Sequence, residues 1–371
     1  MREHFHNLQA LRGTACIMVV LGHLWSCEKQ FGVQTPLFRE IQWFGFAGVD
    51  LFFVLSGFLI TSTNRKHLGR PADVPGYLFR RFWRIYPMFW VSMAVAAATI
   101  LVVFGNGAFT PDVSARWPRW IALAPMSHTE SNLFIGQAWT LTYEVMFYLA
   151  FAAIMFVPPR LGAVLLCGWA AVIFASLTGA EPTGPLAIHV LSPFVFEFLG
   201  GCAIAALVAH GPLRGGRFAL ALGLTYVFAA MFLTHALMTQ SWPDEMAGTR
   251  TRVLVFGPPA VLFVYGMVAL EARRSRLAPR WLMRVGDASY SLYLLHSTVL
   301  GVGMYVGYKV PHSRLPHLLW LAGTFVACLA VGLLAYRYIE KPLLNLAKRT
   351  KAKPAPLSNT NTCEAPAKLA A

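Results

Sequence analysis

Apolar runs of about 20 residues recur along the whole chain and limit how it can fold. A run of this length crosses the hydrocarbon core of a bilayer as a helix, which satisfies its own backbone hydrogen bonds in lipid. Ten runs are predicted, at approximately 8–27, 42–64, 84–104, 139–157, 161–178, 187–210, 217–238, 251–270, 285–308 and 316–337. Only 13% of the 371 residues are charged, against roughly 25% in soluble domains. The sequence therefore predicts an all-α, polytopic membrane bundle of about ten transmembrane helices.

The predicted bundle forms one membrane domain over residues 1–345, followed by a tail over 346–371. The tail becomes polar and rich in Lys, Pro, Thr and Ala, so we expect it to be disordered and cytoplasmic. We do not expect the first run to be a cleaved signal peptide, because Arg12 interrupts it and nine further runs follow. The six cysteines have no paired spacing, so neither a disulfide framework nor a metal site is predicted.

Basic residues are distributed unevenly between the two sides of this bundle. With the N-terminus inside, 22 of the 31 Lys and Arg residues fall in inner segments and Arg12 lies within a span. The outer ones are Lys29, Arg39, Arg116, Arg119, Arg250, Arg252, Lys309 and Arg314. Cytoplasmic loops carry such an excess, so both termini are predicted to be cytoplasmic. The net charge of +15 is not interpreted as a nucleic-acid patch, which would cluster on one soluble surface.

Polar residues inside the predicted spans mark the candidate site. Arg12 and His23 share one face of the first span, about 16 Å apart along its axis. Asp50 in the second span and Glu144 in the fourth are predicted to lie at a depth similar to that of His23. Inside a membrane such residues usually face a cavity or a partner, so three at one depth favour a functional site over separate structural roles.

Two other spans add weaker signals. Ser289, Tyr293 and His296 form a polar stripe in the ninth span, and Glu197 lies near the middle of the sixth. Interhelical hydrogen bonds between packed helices explain these residues equally well.

Three arginines, Arg80, Arg81 and Arg84, lie at the predicted cytoplasmic end of the third span beside Trp83 and Tyr86. Guanidinium groups suit phosphates, and aromatic side chains suit a stacking ring. From the residues alone, the simpler interpretation is anchoring at the membrane interface.

Six motifs follow one another up to about residue 345. They are Arg12-x10-His23, GVDLFFVLSGFLI, RRFWRIYP, WTLTYEVMFY, SYSLYLLH and YIEKPL. The ordered set resembles the acyltransferase 3 family, bacterial integral-membrane proteins that O-acylate sugars of surface and exported polysaccharides. Thr140 and Thr142 stand where the family usually has serines, so the hydroxyl groups are retained.

The resemblance implies a multi-pass enzyme of the bacterial inner membrane that takes an acyl group from cytoplasmic acyl-CoA. Carried over by motif, His23 is the catalytic residue, and Arg12 supports it or the donor. Arg81 and Arg84, with the adjacent Arg80, would bind the CoA phosphates. No metal is expected.

The resulting hypothesis is an acetyl-CoA-dependent O-acyltransferase that acts on an exported glycan or a lipid-linked saccharide. His23, oriented by Asp50 or Glu144, would act as general base or form a transient acyl-imidazole. Tyr148, Tyr293 and Ser56 are candidate oxyanion donors. The residues predicted to contact the acceptor are Trp139, Tyr148, Tyr293 and His296.

Two alternatives stay open from the sequence. A proton-coupled transporter or flippase of a polysaccharide precursor would use His23, Asp50 and Glu144 as a proton relay. A structural subunit of a polysaccharide export complex would leave Arg12 and His23 unexplained. Polysaccharide biosynthesis or export proteins are possible partners under each interpretation.

Overall fold

The structure is a computed structural model that describes residues 6–30, 42–105, 110–126, 134–179, 182–237, 249–273, 278–307 and 314–351. All regular secondary structure in these segments is helical. The α-helices are α1 His6–Gln30, α2 Gln42–Asn64, α3 Val74–Phe104, α4 Pro111–Ala122, α5 Trp139–Ile154, α6 Pro159–Ser176, α7 Pro185–Val190, α8 Phe194–His210, α9 Gly216–Leu237, α10 Thr249–Ala272, α11 Arg280–Asp287, α12 Ser289–Gly307, α13 Arg314–Ala335 and α14 Lys341–Lys351. A π-helical segment, Tyr336–Glu340, joins α13 to α14.

Each of the ten predicted spans coincides with helical structure, so the prediction of a polytopic helical bundle is confirmed. Within the described residues, seven helical segments are long and apolar enough to cross a membrane. The remaining predicted spans coincide with α5, α9 and α12. The sixth predicted span is divided into α7 and α8, where Pro193 lacks the N–H group that a continuous helix requires.

Two sequence-based assignments need correction. Arg252, counted among the outer loop residues, lies within α10 and is only 4% exposed. Helix α14 continues to Lys351 and therefore includes the first six residues of the segment predicted to be disordered. The rest of that segment, residues 352–371, lies outside the described residues.

The peripheral helices present apolar side chains outward. Phe174 in α6 is 71% exposed and Phe232 in α9 is 76% exposed. In a multi-pass membrane protein, these faces contact lipid rather than water. By contrast, α1, α2 and α8 pack in the interior, where their buried faces form much of the core.

Close contacts between glycines and facing backbone set the spacing of the interior helices. A Cβ atom at Gly57 of α2 would lie 2.0 Å from the carbonyl oxygen of Phe198 in α8. A Cβ atom at Gly201 of α8 would lie 2.0 Å from the carbonyl oxygen of Val54 in α2. Small residues allow this approach, which is a common basis of helix association in membranes.

The contact between α1 and α2 also fixes the relative depth of their polar residues. A Cβ atom at Gly48 would lie 2.4 Å from the carbonyl oxygen of Ala15, so these residues are level. Asp50 is therefore nearer the level of Ala15 than that of His23, which lies eight residues, or about 12 Å, farther along α1. The predicted common depth of His23 and Asp50 is wrong.

Candidate active site

A cavity of about 130 Å³ opens between α1, α2, α3, α5 and α12. Its polar lining includes Arg12, Ser56, Arg81, Arg84, Thr140, Glu144, Tyr148, Ser289 and Tyr293. The structure therefore gathers into one space seven of the residues that the sequence proposed for different roles: Arg12, Ser56, Arg81, Arg84, Glu144, Tyr148 and Tyr293. His23, Asp50, Arg80, Trp139 and His296 are not among the lining residues.

The cavity is elongated along α2. Its lining on this helix extends from Ile60 to Val49, a rise of about 16 Å. At the Val49 end, Thr140 and Tyr293 are the last lining residues on α5 and α12, and their hydroxyl groups are hydrogen-bonded at 2.7 Å. This bond lies between the cavity and His296, whose ring centroid is 5.8 Å from that of Tyr293.

Arg84 is held by an ion pair that the sequence did not predict. Its Nη1 atom lies 2.6 Å from Oε1 of Glu340, a residue of the π-helical segment that is 1% exposed. The other oxygen of Glu340 accepts a hydrogen bond from the Ser291 hydroxyl at 2.6 Å. The guanidinium also lies 5.1 Å from the ring centroid of Tyr290. Arg84 therefore already has a carboxylate partner.

Arg81 is more available to a ligand. Its guanidinium lies between the rings of Tyr77 and Tyr148, at 5.4 Å and 5.2 Å from their centroids. Its buried Nε atom has no hydrogen-bond partner among the described residues, and its Nη2 atom donates a long hydrogen bond to the Thr63 hydroxyl at 3.5 Å. Arg80, by contrast, is exposed and donates to the Asn64 side chain at 3.2 Å. Of the three predicted phosphate ligands, Arg81 best combines access to the cavity with unused donors.

Arg12 and Glu144 supply further polar groups to the cavity wall. Arg12 donates to the Ser289 hydroxyl at 2.9 Å. Glu144 accepts hydrogen bonds from Ser56, at 3.1 Å, and from Tyr148. A guanidinium and a carboxylate therefore face the same space on different helices.

His23 is exposed and lies against His296, with ring centroids 5.0 Å apart. Its Nδ1 atom is 2.8 Å from the carbonyl oxygen of Val19. Because a carbonyl oxygen can only accept, this contact requires a proton on Nδ1. In the neutral ring, Nε2 then carries the lone pair and is the atom able to take a proton from a substrate.

Asp50 forms an ion pair with Arg252 and not with His23, the partner that the sequence predicted. Its Oδ2 atom lies 2.9 Å from Nη2 and 3.2 Å from Nε of Arg252. The Arg252 guanidinium also lies 5.4 Å from the ring centroid of Trp139, which is 37% exposed. The described contacts thus connect Asp50 to the predicted acceptor residue Trp139 through Arg252.

Sequence reasoning missed Arg252, Glu340 and Gln137 as parts of this region. Gln137 is buried and donates to the backbone carbonyl of Tyr293 at 2.8 Å. Glu340 belongs to the YIEKPL motif, and Arg252 falls inside a predicted span. Both positions could therefore have been recognised from the sequence as candidate site residues. Within the described residues, no group of three or more His, Cys, Asp or Glu side chains could hold a metal ion.

Comparisons with known proteins identify the family. The family model described as "Acyltransferase domain", that of the acyltransferase 3 family, matches residues 5–337. This chain belongs to the acyltransferase 3 family. It is therefore an acyl-transferring enzyme, and its apolar helices make it a multi-pass membrane protein.

Several curated proteins resemble this acyltransferase 3 chain. The exopolysaccharide production protein ExoZ of Rhizobium meliloti is 29% identical, over 81% of this chain and 90% of that protein. The acyltransferase MdmB of Streptomyces mycarofaciens is 25% identical, over 93% of each. The peptidoglycan O-acetyltransferase OatA of Listeria monocytogenes is 24% identical, over 92% of this chain but 56% of OatA. No solved structure matches.

Proposed function

We propose that this enzyme transfers an acyl group, in particular acetyl, from cytoplasmic acyl-CoA to a hydroxyl group of an exported or lipid-linked glycan. The observation that carries the proposal is the cavity that begins among Arg81, Arg84 and Arg12 and ends at Tyr293, next to the His296–His23 contact. The names of the relatives support the acceptor class, since one functions in exopolysaccharide production and another O-acetylates peptidoglycan.

The donor would enter the cavity from the end lined by Arg81. This arginine offers donors to a CoA phosphate, and the adjoining rings of Tyr77 and Tyr148 keep its guanidinium in place. The pantetheine arm would then extend along α2 past Arg12 toward Tyr293. Arg84 would contribute positive potential rather than a phosphate ligand, because its Nη1 atom is already paired with Glu340.

The chemical step would take place at His23. In the direct route, Nε2 of His23 accepts the proton of a sugar hydroxyl while the oxygen attacks the thioester carbonyl. The carbon–sulfur bond breaks, and the CoA thiolate leaves and receives a proton. In the alternative route, Nε2 itself attacks the thioester, and the acyl-imidazole passes its acyl group to the sugar. Both routes use the same nitrogen.

The acceptor would approach from the exposed side of His23 and Trp139. An indole that is 37% exposed offers a flat apolar surface to a sugar ring. The excess of basic residues in the segments of the opposite side supports placing this side outside the bacterial inner membrane. Proteins that synthesise or export the polysaccharide would be the expected neighbours.

The proposal is tested with proteoliposomes that contain the enzyme, labelled acetyl-CoA and an extract of envelope glycans. The parent should move label into glycan as an alkali-labile ester, and His23→Gln should lower the rate by about 10² to 10⁴-fold. The matched control is His210→Gln, because His210 is also a helix histidine whose Nδ1 contacts the carbonyl of the preceding turn, at 2.9 Å. This control should keep the parent rate.

Two results would reject the proposal. A folded His23→Gln enzyme that acylates at the parent rate would remove His23 from the chemistry. Movement of a glycan precursor across the membrane without consumption of acetyl-CoA would favour the transporter alternative.

A further inference from the structure

Three ionisable side chains meet in the interior, away from the cavity walls. They are Asp50 of α2, Glu197 of α8 and Arg252 of α10, which are 0%, 1% and 4% exposed. Arg252 donates two hydrogen bonds to Oδ2 of Asp50. Glu197 lies within hydrogen-bonding reach of the Asp50 carboxyl group. Two acids and one base therefore share a site that excludes solvent.

The packing of α2, α8 and α10 brings these three side chains together. The close contacts of Gly57 and Gly201 hold α2 against α8. Asp50 lies seven residues before Gly57 and Glu197 four residues before Gly201, so both side chains lie on the contact faces of their helices. On the α10 side, a Cβ atom at Gly257 would lie 3.3 Å from Oε1 of Glu197. The carboxyl group of Glu197 fits because α10 has a glycine there.

The charges of this cluster do not balance unless one acid is protonated. With both acids ionised, the three groups would carry one net negative charge in the interior, which is strongly unfavourable. No described group donates a hydrogen bond to either oxygen of Glu197 or to Oδ1 of Asp50. The start of α8 favours a negative charge on Glu197, but this effect is several times smaller than the cost of burying an unpaired carboxylate.

We propose that Glu197 carries a proton and donates it in a hydrogen bond to Oδ1 of Asp50. The proton satisfies both carboxyl groups, and Arg252 balances the single remaining negative charge. Glu197 is chosen as the protonated partner because Asp50 already accepts two hydrogen bonds from a guanidinium, which stabilise its ionised form.

The cluster supports the face of the protein where the acceptor is proposed to bind. The Arg252 guanidinium lies 4.9 Å from the ring centroid of Phe194 and 5.4 Å from that of Trp139. Glu197 is thus a positioning residue: it fixes Asp50, Asp50 fixes Arg252, and Arg252 fixes the Trp139 ring. This role rests on the proposed function, whereas the shared proton does not.

Infrared spectroscopy of the purified enzyme tests the shared proton directly. The parent should show the carbonyl stretching band of a protonated carboxylic acid, and Glu197→Gln should remove that band. Asp73→Asn is the control, because the Asp73 side chain is 39% exposed and its ion-pair partner is His67; this change should leave the band intact. A band that survives in Glu197→Gln would overturn the proposal.

Thermal unfolding tests whether Glu197 donates a hydrogen bond to Asp50. The amide of Glu197→Gln can donate to Oδ1 of Asp50, so its melting temperature should stay near that of the parent. Glu197→Ala leaves Asp50 without that donor and should melt on the order of 5 °C lower. Equal losses for the two variants would contradict a neutral Glu197.

A double-mutant cycle tests the charge balance. In Asp50→Asn, Glu197 can release its proton and balance Arg252, so the folded protein should be retained. In the double variant Asp50→Asn/Glu197→Gln, Arg252 has no counter-charge. The decrease in the free energy of unfolding should therefore exceed the sum of the decreases in the two single variants. Additive losses would contradict the shared negative charge.

Ester-linked acetate on the surface polysaccharide of expressing cells separates the positioning role from the proposed function. Glu197→Gln should keep the parent level and Glu197→Ala should lose most of it at equal amounts of folded protein. Equal acetate in both variants would refute the positioning role. If the parent adds no acetate to any glycan, the proposed function fails, while the infrared and thermal results still decide the charge assignment.

Discussion

At the scale of single residues, Arg81 and Arg84 have different roles in the cavity, although the sequence predicted both to be phosphate ligands. Arg84 is committed to the buried Glu340, whereas Arg81 has a buried Nε atom with no hydrogen-bond partner among the described residues. A sequence motif can name both residues, but it cannot tell which guanidinium is already neutralised. That depends on a carboxylate 256 positions away in the chain.

This difference predicts opposite phenotypes for two alanine substitutions. Arg81→Ala should leave the melting temperature near the parent value and weaken acyl-CoA binding about tenfold or more, because one charged hydrogen bond is lost. Arg84→Ala should destabilise the protein by about 3 kcal/mol, since Glu340 would remain buried without its partner. Calorimetric titration with acetyl-CoA and thermal unfolding separate the two effects.

The control for Arg84 removes both charges together. Arg84→Gln/Glu340→Gln should recover much of the stability that Arg84→Ala loses, because no uncompensated charge remains. If Arg84→Ala were as stable as the parent and only bound acetyl-CoA more weakly, Arg84 would be a phosphate ligand after all.

Tyr293 offers a second prediction at this scale. Its hydroxyl group is bonded to Thr140 at the end of the cavity nearest His296, so we expect it to restrict the passage between donor and acceptor sides. Tyr293→Phe removes the hydrogen bond to Thr140, worth about 1 kcal/mol, together with a longer one to the backbone carbonyl of Gln137 at 3.3 Å. We expect hydrolysis of acetyl-CoA without acceptor to rise roughly fivefold, measured as release of free thiol.

Tyr290→Phe is the matched control for Tyr293. Tyr290 also lines the cavity, but its hydroxyl group donates to the backbone carbonyl of Ile85 rather than across the end of the cavity. This variant should not increase hydrolysis. An increase in Tyr290→Phe as large as that in Tyr293→Phe would show that general loosening, not the bond to Thr140, controls water access.

At the scale of helices, the contact between α2 and α8 carries the arrangement of the buried charges. Gly57→Ala would place a Cβ atom 2.0 Å from the carbonyl oxygen of Phe198, which forces the helices apart. We expect a loss of about 1–3 kcal/mol, measured by thermal unfolding. Gly301→Ala is the control, because nothing lies within 4 Å of a Cβ atom there. A Gly57→Ala protein as stable as Gly301→Ala would contradict the contact.

The helices themselves were predictable, but their partners were not. Runs of apolar residues predicted ten spans, each of which coincides with helical structure, because length and hydropathy are local properties of the sequence. Lipid and protein interior are similarly apolar, so an apolar face does not reveal whether it contacts a neighbour or lipid. The predicted depth of Asp50 was wrong because it was counted from the end of an apolar run. The depth is set by the contact of Gly48 in α2 with Ala15 in α1, which the sequence does not show.

The candidate site was predictable only in part, for a related reason. The motifs supplied Arg12, Glu144 and Tyr293, which do line one cavity. Their balancing partners are remote, as Arg252 lies 202 positions from Asp50. Spacing within one helix reports on one face of that helix, and only the packed structure shows which charges neutralise one another.

At the scale of the whole molecule, three contacts bring the beginning and the end of the described bundle to one side. Gln9 donates to Asp287 at 2.5 Å, Arg12 donates to Ser289 at 2.9 Å, and the nearby Ser291 donates to Glu340 at 2.6 Å. The first turns of α1 therefore lie at the same end of the bundle as the π-helical segment that follows α13. An even number of crossings must separate them.

This geometry sharpens the topology prediction, because seven crossings would place the two ends on opposite sides and ten place them on the same side. The excess of Lys and Arg in the segments at that end predicts that the side is cytoplasmic. A reporter fused after residue 345 and a cysteine introduced at residue 6 should therefore both be cytoplasmic. The reporter is one that is active only outside the inner membrane, so it should be inactive. The cysteine should be protected from a thiol reagent that does not cross the membrane. If the two probes reported opposite sides, the contacts of Gln9, Arg12 and Ser291 could not all exist in the membrane.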